Sequence, residues 1–294
     1  MRTTTPPATT STLAQALTQA SSHGLERLDA QWLLLHALGR TRQDRAWLLT
    51  HDTNMLTPQA QATFDAAVQR RLSGEPLAYI TGTREFFGLP LQVDARVLDP
   101  RPDTETLVEW ALTQLPPSQV GARSEDMPPL HILDLGTGSG AIALALKHNR
   151  PDAQVTAVDA SPEALTVARA NALALKLHVE FVQGHWLKEV SGHFHLIASN
   201  PPYIAAADPH LAALHHEPLQ ALASGVDGLD DIRQIISQAR THLHPGAWLL
   251  LEHGYDQAEP VRDLLTAAGF KSVQSRRDLN GIERCSGGRW AVSE

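Results

Sequence analysis

A glycine-rich loop between an apolar strand and a helix constrains the fold of this chain more than any other feature. Residues 133–141 read Leu-Asp-Leu-Gly-Thr-Gly-Ser-Gly-Ala. Around this loop, from about residue 103 onward, short apolar runs alternate with amphipathic segments. Such alternation predicts an α/β fold, a parallel sheet with helices on both faces. Ligands of these sheets bind at the carboxyl ends of the strands, which is where the loop is predicted to lie.

The apolar spacing also predicts the individual elements of a domain at 103–294. Strands are predicted at 131–135, 155–158, 179–182, 196–199, 248–252, 273–277 and 289–292. Helices are predicted at 103–115, 141–148, 161–175, 230–242 and 257–268, and a polar, proline-rich loop at 116–129.

Residues 12–74 differ from the rest, because their apolar residues recur at helical spacing with only short loops between them. Thr57 and Pro58 supply an N-cap and a first-turn proline, while Gly39 and Gly74 end helices. The pattern predicts a small all-helical domain. Its residues leave two interpretations open, a module for stability or dimerisation and a platform for a protein partner.

Two further segments flank this helical domain. Residues 1–11 are rich in threonine and proline and are predicted to form a flexible tail. Residues 75–102 carry aromatic and β-forming residues at 79–82 and 85–91, with glycine and proline breaks. This composition predicts a β-hairpin or extended linker.

The glycine loop provides candidate cofactor-binding residues, and glycines there let the backbone turn tightly and approach a ligand. They are Gly136, Thr137, Gly138, Ser139 and Gly140. After the next predicted strand, Asp159 places a carboxylate where it can accept hydrogen bonds from both hydroxyls of a ribose. Because the loop also satisfies the dinucleotide pattern, it leaves a nicotinamide cofactor and S-adenosylmethionine both open.

A second motif, Asn200-Pro201-Pro202-Tyr203, directly follows a predicted strand. An amide or exocyclic amine is a poor nucleophile, so an enzyme that methylates one must hold it close to the donor. The Asn200 side-chain oxygen and the Pro201 carbonyl can accept its two N–H groups. Neither proline has an N–H, and their fixed φ stiffens the turn. Tyr203 offers a flat face on which a planar acceptor can stack.

Composition excludes several classes of protein. The net charge of -8 and pI of about 6.0 argue against a protein that binds nucleic acid mainly through its phosphate backbone. The single cysteine, Cys285, permits no internal disulfide, which fits a reducing compartment. We find neither an apolar signal region nor a run of about 18 apolar residues, and therefore expect a cytoplasmic protein with no membrane span.

Beyond these two motifs, the chain resembles the HemK/PrmC family, the N5-glutamine methyltransferases of peptide-chain release factors. The segments that carry the resemblance are 75–82 (Glu-Pro-Leu-Ala-Tyr-Ile-Thr-Gly), 84–87 (Arg-Glu-Phe-Phe), 100–105 (Pro-Arg-Pro-Asp-Thr-Glu), the glycine loop, 200–203 and 251–254 (Leu-Glu-His-Gly). The Arg-Pro-Asp-Thr-Glu stretch is quite specific to this family. Asn-Pro-Pro-Tyr is shared with enzymes that methylate amino groups of DNA and RNA.

The resemblance implies a seven-stranded, Rossmann-like class I methyltransferase domain behind a helical domain that contacts the release factor. It implies methylation of the glutamine in the Gly-Gly-Gln tripeptide of class I release factors, with S-adenosyl-L-methionine converted to S-adenosyl-L-homocysteine. The family's cofactor positions fall on residues 136–140, Asp159, Trp186 and Asn200, and its substrate contacts on residues 200–203. The family usually has an acidic residue before this tryptophan, whereas this chain has His185.

Other residues favour no further site. The fifteen histidines include the pairs 193/195 and 242/244, but without a clear third ligand they are interpreted as surface or structural. Glu217 lies in a long loop that either closes over the acceptor or is merely solvated. Glu252 either lines the site or is structural, and nothing marks Cys285 as a nucleophile.

Four functions compete for this set of motifs. The first is a glutamine methyltransferase for release factors, with a ribosomal-protein glutamine as the alternative substrate. A DNA or RNA amino methyltransferase would need a basic groove, which the net charge disfavours. The hypothesis of a nicotinamide oxidoreductase would not explain the motif at residues 200–203. A non-catalytic adaptor would not depend on Asn200. We therefore expect a protein partner and no direct contact with nucleic acid.

Overall fold

The computed structural model describes residues 10–117 and 129–291, which form two compact units that divide between Gly82 and Thr83. The first unit is helical, as predicted. Its helices are α1 (Leu13–Ser22), α2 (Arg27–Ala37), α3 (Arg45–Thr50), α4 (Pro58–Leu72) and α5 (Leu77–Thr81), with a 3-10 turn at Arg42–Asp44.

Side-chain caps and one apolar core form this helical unit. Thr12 and Thr57 accept hydrogen bonds from the backbone N–H groups of Gln15 and Ala60, which satisfies free donors at the starts of α1 and α4. The core is built around Phe64 and three consecutive leucines of α2, residues 33–35, all buried. Ser11 also hydrogen-bonds Gln61, whereas residues 1–9 of the predicted flexible tail lie outside the described part of the chain.

The prediction of extended structure at 79–82 is wrong, because these residues belong to α5 and its C-terminal cap. Ala78, Tyr79 and Ile80 are buried in α5, which packs on α2 and α4. Packing of the aromatic and β-branched side chains therefore outweighs their intrinsic preference for strands. Gly82 ends the helix in the left-handed conformation that glycine favours.

The second unit opens with a two-stranded hairpin, β1 (Thr83–Phe86) and β2 (Leu89–Gln92), as predicted for 85–91. Its main sheet contains β3 (Leu130–Leu135), β4 (Ala153–Asp159), β5 (Glu180–Gln183), β6 (Phe194–Ser199), β7 (Leu243–Glu252), β8 (Lys271–Arg277) and β9 (Glu283–Arg289). The helices are α6 (Glu105–Gln114), α7 (Ala141–Asn149), α8 (Pro162–Leu175), α9 (Asp230–Ala239) and α10 (Ala258–Ala267), and a 3-10 turn at Pro102–Thr104 precedes α6.

The seven strands lie in the order β5-β4-β3-β6-β7-β9-β8, and only the pairs made by β9 are antiparallel. From β3 the chain proceeds outward through β4 and β5 and then returns to place β6 on the other side of β3. This reversal is a topological switch point, where open α/β sheets bind their ligands. The predicted Rossmann-like fold is confirmed. None of the helices in the described part of the chain is long and apolar enough to cross a membrane.

The last strand is β9, at Glu283–Arg289, and not the predicted 289–292. Its Ser-Gly-Gly sequence is typical of a loop, but the glycines have a packing role. A Cβ on Gly287 would lie 2.5 Å from a side-chain carbon of Leu250 and 2.6 Å from the carbonyl of Leu249. Only glycine lets β9 approach β7 this closely. Most of the predicted 116–129 loop lies outside the described residues.

Candidate active site

Strand register brings the predicted site residues into one row at the carboxyl edge of the sheet. Leu135 pairs with Val158 on one side and with Ser199 on the other, and Ser199 pairs with Leu251. The residues that follow these four are Asp159, Gly136, Asn200 and Glu252. The row exists because the chain ends four neighbouring parallel strands at the same level.

The Asp159 carboxylate organises the glycine loop. One oxygen accepts the backbone N–H of Gly138 at 2.8 Å, and the other accepts that of Ser161 at 2.9 Å. Burial raises the pKa of Asp159, while these backbone hydrogen bonds lower it and leave a net increase. Carboxylate oxygens have spare acceptor capacity beyond one bond each, so Asp159 can also accept from a ligand.

The Thr137 side chain, an asparagine from α8 and one glycine support the loop. The Thr137 hydroxyl donates to Asp134 at 2.6 Å, and burial raises the pKa of Asp134 to about 7. Asn171 on α8 donates to the Ser139 carbonyl and exchanges two hydrogen bonds with the backbone of β2. Gly140, with φ +87°, caps α7 in the left-handed region.

A cavity of about 270 Å³ opens beside this row. The predicted residues that line it are Gly136, Gly138, Asp159, Trp186, Asn200 and Pro202. Other walls come from residues 96–98 and, in the segment 218–221, from Pro218, Gln220 and Ala221. The structure therefore gathers the glycine loop, the carboxylate, the tryptophan and the Asn-Pro-Pro turn around one cavity.

Trp186 is held against the cavity by a carboxylate that sequence reasoning missed. Its indole N–H donates to Asp231 at 3.0 Å, and the backbone of Trp186 has a φ of 58°. Positive φ is uncommon for a large side chain, so tertiary contacts must hold this conformation. Asp231 lies in the first turn of α9, 45 residues further along, and no local pattern links the two. His185 lines the same cavity, and its backbone N–H donates to Glu189.

The Asn200 side chain has one identified partner. Its Nδ2 donates to the Thr104 hydroxyl at 3.2 Å, which leaves Oδ1 on the other side of the amide. Tyr203 is half-buried, and its hydroxyl makes a long contact of 3.5 Å with Glu252. Burial, with the nearby Glu252 charge, raises the pKa of Tyr203 far above its usual range.

An ion-pair network ties the loop after Tyr203 to the segment before α6. Glu217 is buried and binds Arg101 at 2.5 Å, and it also accepts the backbone N–H of Asp99 at 3.3 Å. Asp99 lies 3.6 Å from Arg101 and 3.5 Å from Arg84. The network holds the chain that carries residues 218–221 against that of residues 96–98, and so shapes the cavity walls. Glu217 is accordingly not a solvated loop residue.

Five of the predicted residues do not line the cavity: Thr137, Ser139, Gly140, Pro201 and Tyr203. The structure places the first three within the loop's supporting contacts, and Pro201 and Tyr203 within the turn itself. The residues that sequence reasoning missed are Thr104, Asp231 and the two wall segments. Only Thr104 carried a signal, since it lies in the Arg-Pro-Asp-Thr-Glu stretch.

Histidines gather at the opposite, amino-terminal edge of the sheet. His195 lies 4.4 Å from His244 and 6.2 Å from His131, ring centre to ring centre, and His193 lies 5.6 Å from His244. The described residues nevertheless contain no group of three ligands placed to hold a metal ion. Cys285 is fully buried in β9, where burial raises the pKa of its thiol.

Two family models match the chain. One, described as the PrmC N-terminal domain, covers residues 11–82, and the other, the methyltransferase small domain, covers 124–260. A release factor glutamine methyltransferase from Escherichia coli K12 is 44% identical over 95% of this chain and 97% of that protein. One from Xylella fastidiosa Temecula1 is 47% identical over 93% and 97%.

Solved structures share the fold at lower identity. A methyltransferase from Pyrococcus furiosus is 20% identical, with a TM-score of 0.54 over 76% of this chain and 98% of that one. The Thermus thermophilus 16S rRNA N2 G1207 methyltransferase, solved with AdoMet and guanosine, is 18% identical, with a TM-score of 0.50 over 71% and 49%. These likenesses concern the fold alone.

The seven-stranded sheet, with its glycine loop and Asn-Pro-Pro-Tyr turn on neighbouring strand ends and its match to the methyltransferase small domain, defines a class I methyltransferase. The identity of 44–47% extends over nearly the full length of both chains. The chain therefore belongs to the release factor glutamine methyltransferase family, and the resemblance read from the sequence is confirmed.

Proposed function

We propose that this chain methylates the side-chain amide nitrogen (N5) of the glutamine in the Gly-Gly-Gln motif of class I peptide-chain release factors. The methyl donor is S-adenosyl-L-methionine, and the co-product is S-adenosyl-L-homocysteine. One observation carries the proposal: Leu135 of β3 pairs with Ser199 of β6, so Gly136 of the glycine loop and Asn200 of the Asn-Pro-Pro-Tyr turn follow directly on neighbouring strands. Family membership supports glutamine as the acceptor.

The cavity fits the proposed donor. Asp159 faces it with a carboxylate that can accept from ribose hydroxyls, and Trp186 lines it with an aromatic ring that can pack on adenine. Glycine at position 136 lets the loop backbone pass close to the Trp186 ring, since a Cβ there would lie 3.3 Å from a carbon of that ring. When bound, S-adenosylmethionine supplies a methyl group on a sulfonium, which is already a good leaving group.

The protein must then orient the acceptor, the glutamine side-chain amide, toward the methyl group. The Asn200 Oδ1 atom and the Pro201 carbonyl accept the two N–H groups of the glutamine amide and direct its nitrogen at the methyl group. The two prolines contribute no N–H donors that would compete for these acceptors. Tyr203 supports the acceptor from the side. Preorganisation of this kind is the main contribution an enzyme can make to such a transfer.

No residue has to remove the proton before the transfer. With S-adenosylmethionine bound, the nitrogen would gain its bond to the methyl carbon as the sulfur–carbon bond breaks, and the methylated amide would then lose one N–H proton to water. Because the pKa of Tyr203 is raised, its hydroxyl stays protonated at neutral pH and is not a base. Positioning, and not proton abstraction, is therefore the role we assign to residues 200–203.

For the partner, we propose that the helical domain at 12–74 contacts the release factor and that residues 103–294 carry the chemistry, with 75–102 as the connection. The match of the PrmC N-terminal domain model to residues 11–82 supports this division. The net charge of -8 supports a protein substrate over a nucleic acid.

A substrate panel tests the function. The chain is incubated with S-adenosylmethionine and, in separate arms, a release factor, the same factor with the Gly-Gly-Gln glutamine changed to glutamate, ribosomal proteins, and DNA or RNA. Mass spectrometry should find one methyl group on that glutamine and none on the altered factor. Methylation of only the ribosomal proteins or the nucleic acid would refute the proposal.

A further inference from the structure

We propose that Thr104 is a positioning residue: its hydroxyl oxygen accepts a hydrogen bond from Nδ2 of Asn200 and so fixes which end of the Asn200 amide faces the acceptor nitrogen. The inference rests on the function proposed above and deepens it. Thr104 ends the 3-10 turn before α6, 96 positions before Asn200 in the chain.

The Asn200 amide must point in one of two directions. An asparagine side chain carries an acceptor oxygen and a donor NH₂ at the same distance from its Cβ, and a half-turn exchanges them. Only the orientation with Oδ1 toward the acceptor can receive an N–H of the glutamine. The reverse orientation sets two donors against each other. The contact between Nδ2 of Asn200 and Oγ1 of Thr104, 3.2 Å, selects the productive orientation.

Thr104 is placed to hold this contact. It is 4% exposed and ends the 3-10 turn before α6, so its hydroxyl is shielded from water. Buried polar groups depend on protein partners, and the Nδ2 group of Asn200 is one for the Thr104 oxygen.

The test compares two substitutions at one position. Thr104→Val removes the hydroxyl at nearly constant volume, and Thr104→Ser keeps the hydroxyl but loses the methyl. We expect kcat with the release factor to fall about 10- to 100-fold in the valine variant, because a misdirected acceptor costs this much. The Kd for S-adenosylmethionine should stay within about threefold, and the serine variant should regain most of the rate.

Thr113→Val is the matched control, since Thr113 is an exposed threonine at the other end of α6 and lies outside the site. It should keep the wild-type rate. Equal losses in the valine and serine variants at position 104 would overturn the proposal, because the methyl group would then be what matters. So would a valine variant as fast as the wild type. If the wild type itself leaves the glutamine unmethylated, the proposed function fails instead.

Thr104→Ala decides the question if the valine variant does not fold, because it removes the same hydroxyl without a branched side chain. Its kcat should also fall about 10- to 100-fold, and thermal melting confirms that the variant is folded. An alanine variant with the kcat of the wild type would overturn the role assigned to Thr104.

Discussion

Replacement of Asp159 by asparagine isolates the contribution of one carboxylate to cofactor binding. Both carboxylate oxygens accept backbone N–H groups, Gly138 at 2.8 Å and Ser161 at 2.9 Å. Asparagine keeps one oxygen and sets an NH₂ group against the other backbone donor, so one hydrogen bond is lost. Hydrogen bonds to charged groups contribute about 1.5–3 kcal/mol each. The loss deforms the loop at Gly138 and removes an acceptor for the ribose.

A loss of this size predicts that the Kd for the cofactor rises about 10- to 100-fold, since 1.4 kcal/mol corresponds to a factor of ten. Isothermal titration calorimetry with S-adenosylhomocysteine measures it directly. Asp263→Asn is the matched control: Asp263 is exposed on α10 and undergoes the same change without touching the cavity. A Kd for Asp159→Asn within about threefold of that control would refute the role of Asp159.

Three further predictions concern other parts of the second unit. Trp186→Phe loses the hydrogen bond to Asp231 and should weaken cofactor binding about 3- to 10-fold in the same titration. An unchanged Kd would refute the claim that this hydrogen bond supports cofactor binding. Gly140→Ala forces a side chain into φ +87° and should cost about 1–2 kcal/mol of stability in urea unfolding, whereas an unaltered midpoint would count against that strain. Burial, then the neighbouring histidines, lowers the pKa of His195 and of His244, so the folded state favours their neutral forms. Melting temperature should therefore fall as the pH drops below about 6.5, more steeply than in a variant with asparagine at both positions; parallel slopes would refute this.

Much of the site could be predicted because its residues carry local signals. Strands β3 and β6 are apolar runs, and each is followed at once by a motif with special backbone chemistry, the glycine loop at 136–140 and the prolines at 201–202. Parallel strands end at one edge of a sheet, so the two motifs were expected to lie at the same edge. That β3 and β6 are direct neighbours depends on the crossover of the chain, which no local pattern encodes.

The misses share a physical cause, which is packing between distant segments. Strand β9 has a glycine-rich sequence that is typical of a loop, and only its close approach to β7 explains it. Helix α5 contains strand-forming residues that its burial against α2 and α4 overrides. Asp231 and Thr104 reach the site from α9 and from the turn before α6, and each is recognised only through its partner, Trp186 or Asn200.

The most direct test of the proposed mechanism is the rate of one methyl transfer by Asn200→Ala. In a single turnover with bound S-adenosylmethionine and a release factor, mass spectrometry follows methylation of the Gly-Gly-Gln glutamine. If Asn200 holds the acceptor nitrogen, the rate should fall about 100- to 1,000-fold, as for the loss of one preorganised group, while the Kd for S-adenosylmethionine changes less than about threefold. A single-turnover rate equal to that of the wild type would contradict the assignment of residues 200–203 as the acceptor site.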